Sequence, residues 1–222
     1  MRKRKLDLSV DDILRKLLAG ELSVEEAKRE LAVFNVERIA DLAKLDIGRV
    51  HRIGIPEAIL GEGKDASTTA RMAIAMAKES GYALITRVGK EQIIKLGTSL
   101  PKDFEMEYYE RAKAVVVKKK GFVFKKIGKI GVLAAGTADI GVAEEAAVAA
   151  RMMGCEVLKA YDVGVAGIHR LFDPLRRMLE KGVSAFVVVA GMEGSLPSVV
   201  ASLVDVPVIG VPTSTGYGVG VK

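Results

Sequence analysis

From Lys129 onward the chain alternates short apolar runs with amphipathic stretches. Ile130–Ala135, Cys155–Ala160, Ala185–Ala190 and Val206–Val211 read as strands. Ala143–Met153, Ile168–Lys181 and Leu196–Leu203 read as the helices between them, the first two closed by Gly154 and Gly182. Strands of five or six residues that are apolar on both faces belong in a parallel sheet covered by helices on both sides. Right-handed crossovers then make the sheet doubly wound. The pattern predicts an α/β core over residues 127–222.

The first half reads differently. Leu8–Leu31 predicts two short helices, with Ser9 and Ser23 as N-caps and acidic pairs in the first turns, where the helix dipole favours them. Residues 1–48 are expected to be helical. Ile53–Leu60 reads as a strand with Pro56 marking an edge, followed by a helix from Asp65 through Lys78. Tyr82–Val88 then reads as a second strand and Glu91–Leu96 as a short helix. These elements predict a small α/β domain over residues 49–126. The lysines at Lys118–Lys120 and Lys125–Lys126 read as a charged connector to the core.

Composition narrows the class. The 222 residues are half hydrophobic and 28% charged, and no apolar run approaches the roughly 20 residues of a membrane span. Cys155 is the single cysteine, which excludes a disulfide framework within the chain and leads to the expectation of a cytoplasmic protein. Asn35 and Gln92 are the only side-chain amides, a composition expected of a thermophile. The net charge of +6 divides into +7 before residue 128 and −1 after it. A basic half can meet nucleic acid, an acidic partner or a phosphate-bearing ligand. Aromatics are few, so a base-stacking platform is poorly supported and solvated lysines account for the charge more simply. No His/Cys cluster has metal-ligand spacing, and no metal is expected.

Ligands of doubly wound sheets bind outside the carboxyl ends of the strands. Here each core strand runs into a loop of small or polar residues: AAGTAD, YDVGVAGIHR, AGMEGS and PTSTGYG. Glycine lets a ligand approach the backbone, and the helix N-termini just beyond present N–H groups to anions.

The stretch GxxxxLPSVVAxLxxVPVIGVP, with Ile168-His169-Arg170 and Gly136-Thr137-Ala138-Asp139 before it, resembles the purine-synthesis enzymes that act on aminoimidazole ribonucleotide, N5-carboxyaminoimidazole ribonucleotide mutase among them. Ala138 departs from their pattern, which has a serine there. The chain as a whole is more similar to the LarB family, which makes the nickel-pincer nucleotide cofactor. That resemblance rests on GIPEAILGEGK (Gly54–Lys64), AAGTADIGVAEEA (Ala134–Ala146), YDVGVAGIHRL (Tyr161–Leu171), AGMEGSLPSVVA (Ala190–Ala201) and PTSTGYGVG (Pro212–Gly220).

The resemblance implies a flavodoxin-like three-layer core. It also implies a reaction: carboxylation of the pyridinium ring of nicotinic acid adenine dinucleotide, with CO2 or bicarbonate as co-substrate. Hydrolysis of the phosphoanhydride releases AMP and leaves pyridinium-3,5-dicarboxylic acid mononucleotide. A cysteine thiolate adding to the ring would make it an enamine able to attack CO2. In the family that cysteine lies after the GYG loop, so the chain is expected to be truncated before its nucleophile and inactive alone. Cys155 begins a strand at the end away from the loops, where apolar neighbours raise a thiol's pKa. No tightly bound cofactor is expected. Related purine carboxylases imply a homo-oligomer, from dimer to octamer, and the Ala-rich segment Ala143–Ala150 offers a face for close helix packing.

His169, Asp139 and Glu193 are the candidate catalytic groups. His169 could move protons near neutral pH or simply pack at a helix start, and Asp139 could serve the ligand or cap the helix after it. Arg170 could clamp a phosphate. With it, Gly136, Thr137, Ala138, Asp162, Gly191, Met192, Gly194, Ser195, Pro212, Thr213, Ser214 and Gly216 are the candidate substrate-binding positions. Glu144 and Glu145 read as first-turn helix acids, and His51 and Arg52 fall in the N-terminal half. Three readings stay open: the dinucleotide carboxylase, a purine carboxylase, and a non-catalytic nucleotide- or RNA-contacting protein.

Overall fold

A computed structural model describes residues 9–32, 36–39, 43–46, 49, 57–191 and 194–214. Two helices open the chain, α1 (Val10–Leu18) and α2 (Val24–Leu31). Both are started by reciprocal capping boxes. Ser9 Oγ accepts from Asp12 N–H while Asp12 Oδ2 accepts from Ser9 N–H, and Ser23 and Glu26 repeat the pair. The helical segment expected over residues 1–48 is corrected in its second part, which holds strands. β1 (Val36–Ile39) and β2 (Ala43–Asp46) form an antiparallel ribbon. Four-residue strands carry too few periods to register in a hydropathy pattern.

The next unit is a four-stranded sheet in the order β3-β4-β6-β5. Its strands are β3 (Ala58–Leu60), β4 (Tyr82–Thr86), β5 (Phe104–Tyr109) and β6 (Ala114–Lys119). Helices α3 (Ala66–Ser80) and α4 (Lys90–Ser99) cover one face. Asp65 caps α3 by accepting from Thr68 N–H at 2.8 Å. β3 and β4 are parallel, whereas β6 runs antiparallel to both β4 and β5. This β5–β6 pair is absent from the sequence-based reading, which took Lys118–Lys120 for the start of a connector. Lys118 instead ends in the sheet, where its ammonium meets Glu107 at 2.6 Å and Glu105 at 3.5 Å. Of the strand expected at Ile53–Leu60, the described part is Ala58–Leu60. β4 stops at Thr86 because Arg87 takes a left-handed φ of 50°.

The core is the expected parallel α/β sheet. β7 (Gly128–Ala134), β8 (Cys155–Ala160), β9 (Ala185–Ala190) and β10 (Val208–Pro212) pair in the order β10-β9-β7-β8, all parallel. Helices α5 (Ile140–Met152), α6 (His169–Glu180) and α7 (Ser195–Leu203) connect them. α6 and α7 pack on one face around Leu133, Phe186 and Val188. α5 lies on the other face, with Ala143 and Ala147 against Val132, Ala134 and Val189. Gly131 makes room for the Phe186 ring, which would lie 2.3 Å from an added Cβ.

α5 is shared. Its other side places Val148 and Met152 in a buried cluster with Leu84, Ala112, Ala114 and Val116 of the mixed sheet. The Ala-rich segment expected to offer a face to a second chain is thus packed between two sheets of its own chain. Small side chains let both sheets approach one helix. Apolar burial is worth roughly 1.5–3 kcal/mol per large side chain, against about 0–1 kcal/mol for an exposed ion pair. Leu84, Val116, Val148 and Met152 therefore join the two units by apolar burial. No helix among the described residues is long and apolar enough to cross a membrane.

Candidate functional site

The four core loops leave from one edge of the parallel sheet, and the ladder of backbone bonds continues into them. Ala135 N–H donates to Val189 O, Thr213 N–H to Ala190 O, Val163 N–H to Ala134 O and Gly164 N–H to Ala135 O. Gly164 is required where the last bond is made, since a Cβ would stand 2.8 Å from the Ala135 carbonyl oxygen. Glycine here serves contact between loops as well as any approach by a ligand.

The loop after β7 forms a 3-10 turn at Thr137–Asp139. Asp139 is 5% exposed and Thr213 8%. Asp139 Oδ2 accepts from Gly136 N–H at 2.9 Å, and Oδ1 accepts from the Thr213 hydroxyl at 2.6 Å. The side chain therefore does not cap α5, as one reading of the sequence expected. It turns back and ties the β7 loop to the segment leaving β10. Thr137 and Ala138 are exposed on that turn.

The loop after β8 presents a second pair. Asp162 adopts a left-handed φ of 59°, and its carboxylate is held by the Arg170 guanidinium. Arg170 Nε also approaches Gly167 O at 3.4 Å. A Cβ at 167 would lie 2.6 Å from the guanidinium, so a larger residue there would require Arg170 to move. His169 is exposed at the first position of α6.

The loop after β9 brings Gly191 to Gly194, whose N–H donates to Gly191 O at 2.9 Å. Gly194 takes a φ of 69° and precedes Ser195, the exposed first residue of α7. Pro212 and Ser214 are exposed on either side of buried Thr213. Met192, Glu193 and Gly216 lie outside the described residues, as do His51 and Arg52. Among the described residues, Asp139 is thus joined by side-chain bonds to Gly136 and Thr213, and Asp162 to Arg170. The other described candidates share the edge.

The sequence reading passed over a polar network on the flank of α5. Glu144 Oε1 accepts from Lys159 Nζ at 2.8 Å and from the Tyr161 hydroxyl at 2.7 Å. Burial works to raise the Glu144 pKa, but the bonds from Lys159 and Tyr161 outweigh it and the carboxyl titrates below its ordinary value. Tyr161 is pushed up by burial and by its bond to Glu144. Glu144 read only as a first-turn helix acid because its partners lie 15 and 17 residues away on β8 and just past its end. Cys155 opens β8 opposite Gly128, at the amino edge of the sheet and far from the loops, and burial raises its thiol pKa. Among the described residues, no group of three or more His, Cys, Asp or Glu could hold a metal.

Comparison with known proteins matches both halves of this architecture. Residues 36–120 match the LarB/PurE-like N-terminal domain, and residues 129–222 match AIR carboxylase. An uncharacterised protein of Methanocaldococcus jannaschii is 45% identical over 212 residues, which cover 94% of this chain and 82% of that protein. The N5-carboxyaminoimidazole ribonucleotide mutase of Thermotoga maritima is 29% identical over 91 residues, 39% of this chain and 51% of that enzyme. The chain belongs to the LarB/PurE-like family, a group related to carboxylases and mutases.

Proposed function

We propose that the loops at the carboxyl edge of the core bind nicotinic acid adenine dinucleotide and present its pyridinium ring for carboxylation at C5. The phosphoanhydride is then hydrolysed to release AMP. The observation that carries the reading is the pairing of an AIR-carboxylase-like core with a LarB/PurE-like N-terminal domain packed against it through α5. A ribonucleotide site alone does not call for that second unit. Ala138 adds support, since it lacks the hydroxyl that the purine enzymes carry at this turn.

In this reading Asp139 is a positioning residue. By holding Gly136 and Thr213 it fixes the spacing between the β7 and β10 loops, where the nicotinate half lies. Arg170 meets a phosphate by exchanging its Asp162 partner for the ligand. His169 stands exposed beside it as a proton carrier, and Glu193 remains a candidate of the same kind. CO2 or bicarbonate is the co-substrate. The ring needs a thiol adduct before it can form the new carbon–carbon bond, after which the C5 proton and the thiol leave. Cys155 lies at the wrong edge for that step. No cofactor is held tightly. Assembly into a homo-oligomer rests on the resemblance alone, because the Ala-rich face is already used within the chain, and a cytoplasmic location rests on the single cysteine.

A second reading, a purine carboxylase acting on an imidazole ribonucleotide, is favoured by the match of residues 129–222 and by the Thermotoga mutase. Calorimetry with nicotinic acid adenine dinucleotide, the imidazole ribonucleotide and a short RNA separates the readings. Heat with the dinucleotide alone supports the first. Heat with the imidazole ribonucleotide alone replaces it with the second, and RNA binding alone removes both.

A further inference from the structure

The dinucleotide reading leaves a charge unmatched. A diphosphate is dianionic, and cations must meet it. The four core loops, from Gly136 through Ser214, hold Asp139, Asp162 and Glu193 against a single arginine, Arg170, itself paired with Asp162. The whole segment after residue 127 is net −1. Arg170 can meet one phosphate, and a cation for the other has to come from outside these loops.

The mixed sheet supplies it at the right place. β3, β4 and β5 all end at one rim, since β3 is parallel to β4, and β5 and β4 are both antiparallel to β6. The turn from β5 to β6 at that rim carries Arg111 and Lys113, both exposed, and neither forms an ion pair with a described residue. Their neighbour Arg87, at the end of β4, is taken by Glu62 at 3.0 Å. The turn is well fixed. Val88 N–H donates to Lys113 O, Lys113 N–H donates to Glu110 O, and Ala112 is buried against α5 in the apolar cluster.

This turn abuts the first turn of α5, which begins directly after Asp139. The Arg111 carbonyl oxygen lies 3.3 Å from the point where Gly141 would carry a Cβ. The positive charge of Arg111 also reaches Tyr161, the residue before Asp162 in the β8 loop. The Arg111 backbone is therefore packed beside the start of α5, next to the β7 loop of the candidate site. Lys113 holds a left-handed φ of 46°, a conformation that glycine would occupy without strain. A cationic side chain is kept there at that cost.

We propose that Arg111 and Lys113, on the β5–β6 turn of the N-terminal unit, bind the phosphate of the adenylyl half of the dinucleotide and so select a dinucleotide over a mononucleotide. The inference rests on the dinucleotide reading and adds to it a division of labour. The core loops take the nicotinate mononucleotide half, and the other unit takes the half that leaves as AMP. α5, packed by both sheets, sets the distance between them.

Calorimetry on the full chain tests this with three ligands: the dinucleotide, nicotinic acid mononucleotide and AMP. The variants are Arg111→Ala, Lys113→Gly and the two combined, with Arg111→Lys as the conservative control. Glycine at 113 suits the left-handed backbone, and both side chains are exposed, so thermal melts should be no lower than the parent's. The double variant should lose about tenfold or more in affinity for the dinucleotide and for AMP, since a hydrogen bond to a charged group is worth about 1.5–3 kcal/mol. Mononucleotide affinity should stay within about twofold of the parent. Arg111→Lys should keep part of the loss from appearing, and the deficit should shrink as salt is raised. Dinucleotide affinity unchanged in the double variant, or an equal loss with the mononucleotide, overturns the assignment while leaving the dinucleotide reading intact. A parent chain that binds no dinucleotide overturns both.

Discussion

The Thr213 hydroxyl donates to Oδ1 of Asp139 at 2.6 Å across 74 residues of sequence, and both side chains are buried. The bond joins the segment leaving the edge strand β10 to the turn leaving the central strand β7. Thr213→Val keeps the shape and removes the donor to a buried carboxylate, so it should cost about 1–3 kcal/mol of stability. Dinucleotide affinity should fall with it. Thr213→Ser should restore both. Urea unfolding and calorimetry on the two variants check this, and a valine variant as stable as the parent removes the role given to this bond.

On the far flank, Tyr109 donates to Glu107 Oε2 at 2.6 Å, and Lys118 binds the other oxygen at 2.6 Å. Burial first, and then the bond to Glu107, push the Tyr109 pKa up to about 12. A raised pKa means that the folded state holds its proton after the unfolded chain has released one. The associated stability is complete below about pH 10 and is lost as pH rises towards about 12. Glu107 works in the opposite direction. Its bonds from Lys118 and then Tyr109 lower its pKa, so its contribution is present above the ordinary carboxylate range and lost on acidification. Tyr109→Phe should therefore flatten the fall of the melting temperature between pH 10 and 12. Identical slopes for parent and variant in that window contradict the assignment.

Gly154 is where the link between the sheets docks. Its φ is 91°, Ile127 N–H donates to its carbonyl at 3.1 Å, and an added Cβ would stand 1.9 Å from the Lys125 carbonyl oxygen. Gly154→Ala should cost about 2–4 kcal/mol, from left-handed strain and from displacement of the backbone. Gly182 has a similar φ of 73° but open space around it. Gly182→Ala should therefore cost only the strain, about 1–2 kcal/mol. Equal losses in urea unfolding would mean that the Lys125 contact is of no consequence.

Much of this was legible in the sequence. The core strands and helices stood out because a doubly covered parallel sheet is written as unbroken apolar runs such as Ala185–Ala190. The capped helices at Ser9 and Ser23 were legible from the caps themselves. The β5–β6 hairpin was not, because Lys118 and Lys119 end a strand whose apolar part is only Ala114–Val117. A lysine that folds onto Glu107 looks the same in sequence as one in solvent. The same blindness hid Glu144, paired with Lys159 and Tyr161, and the packing of α5 between two sheets. Its Ala-rich face signals close contact but not with what. Asp139 was marked as a candidate from its loop, yet its bond to Thr213 depends on β10 lying two strands away from β7, which only the topology supplies.

Cys155 provides an inexpensive control. Its position at the amino edge of β8 gives it no path to the loops, so Cys155→Ser should leave dinucleotide affinity within about twofold. A larger loss, with the melting temperature unchanged, would place the thiol in the site.

The central claim concerns where one ligand binds, and backbone hydrogen exchange with and without nicotinic acid adenine dinucleotide tests it most directly. Saturating dinucleotide should slow exchange at Gly136–Asp139, Asp162–Gly167, Gly194–Ser195 and Thr213–Ser214, and at Arg111–Lys113 of the N-terminal unit. The amino edge around Cys155 and Gly182 should be unchanged. Protection at the amino edge, or none with the dinucleotide where the imidazole ribonucleotide gives it, would contradict the account.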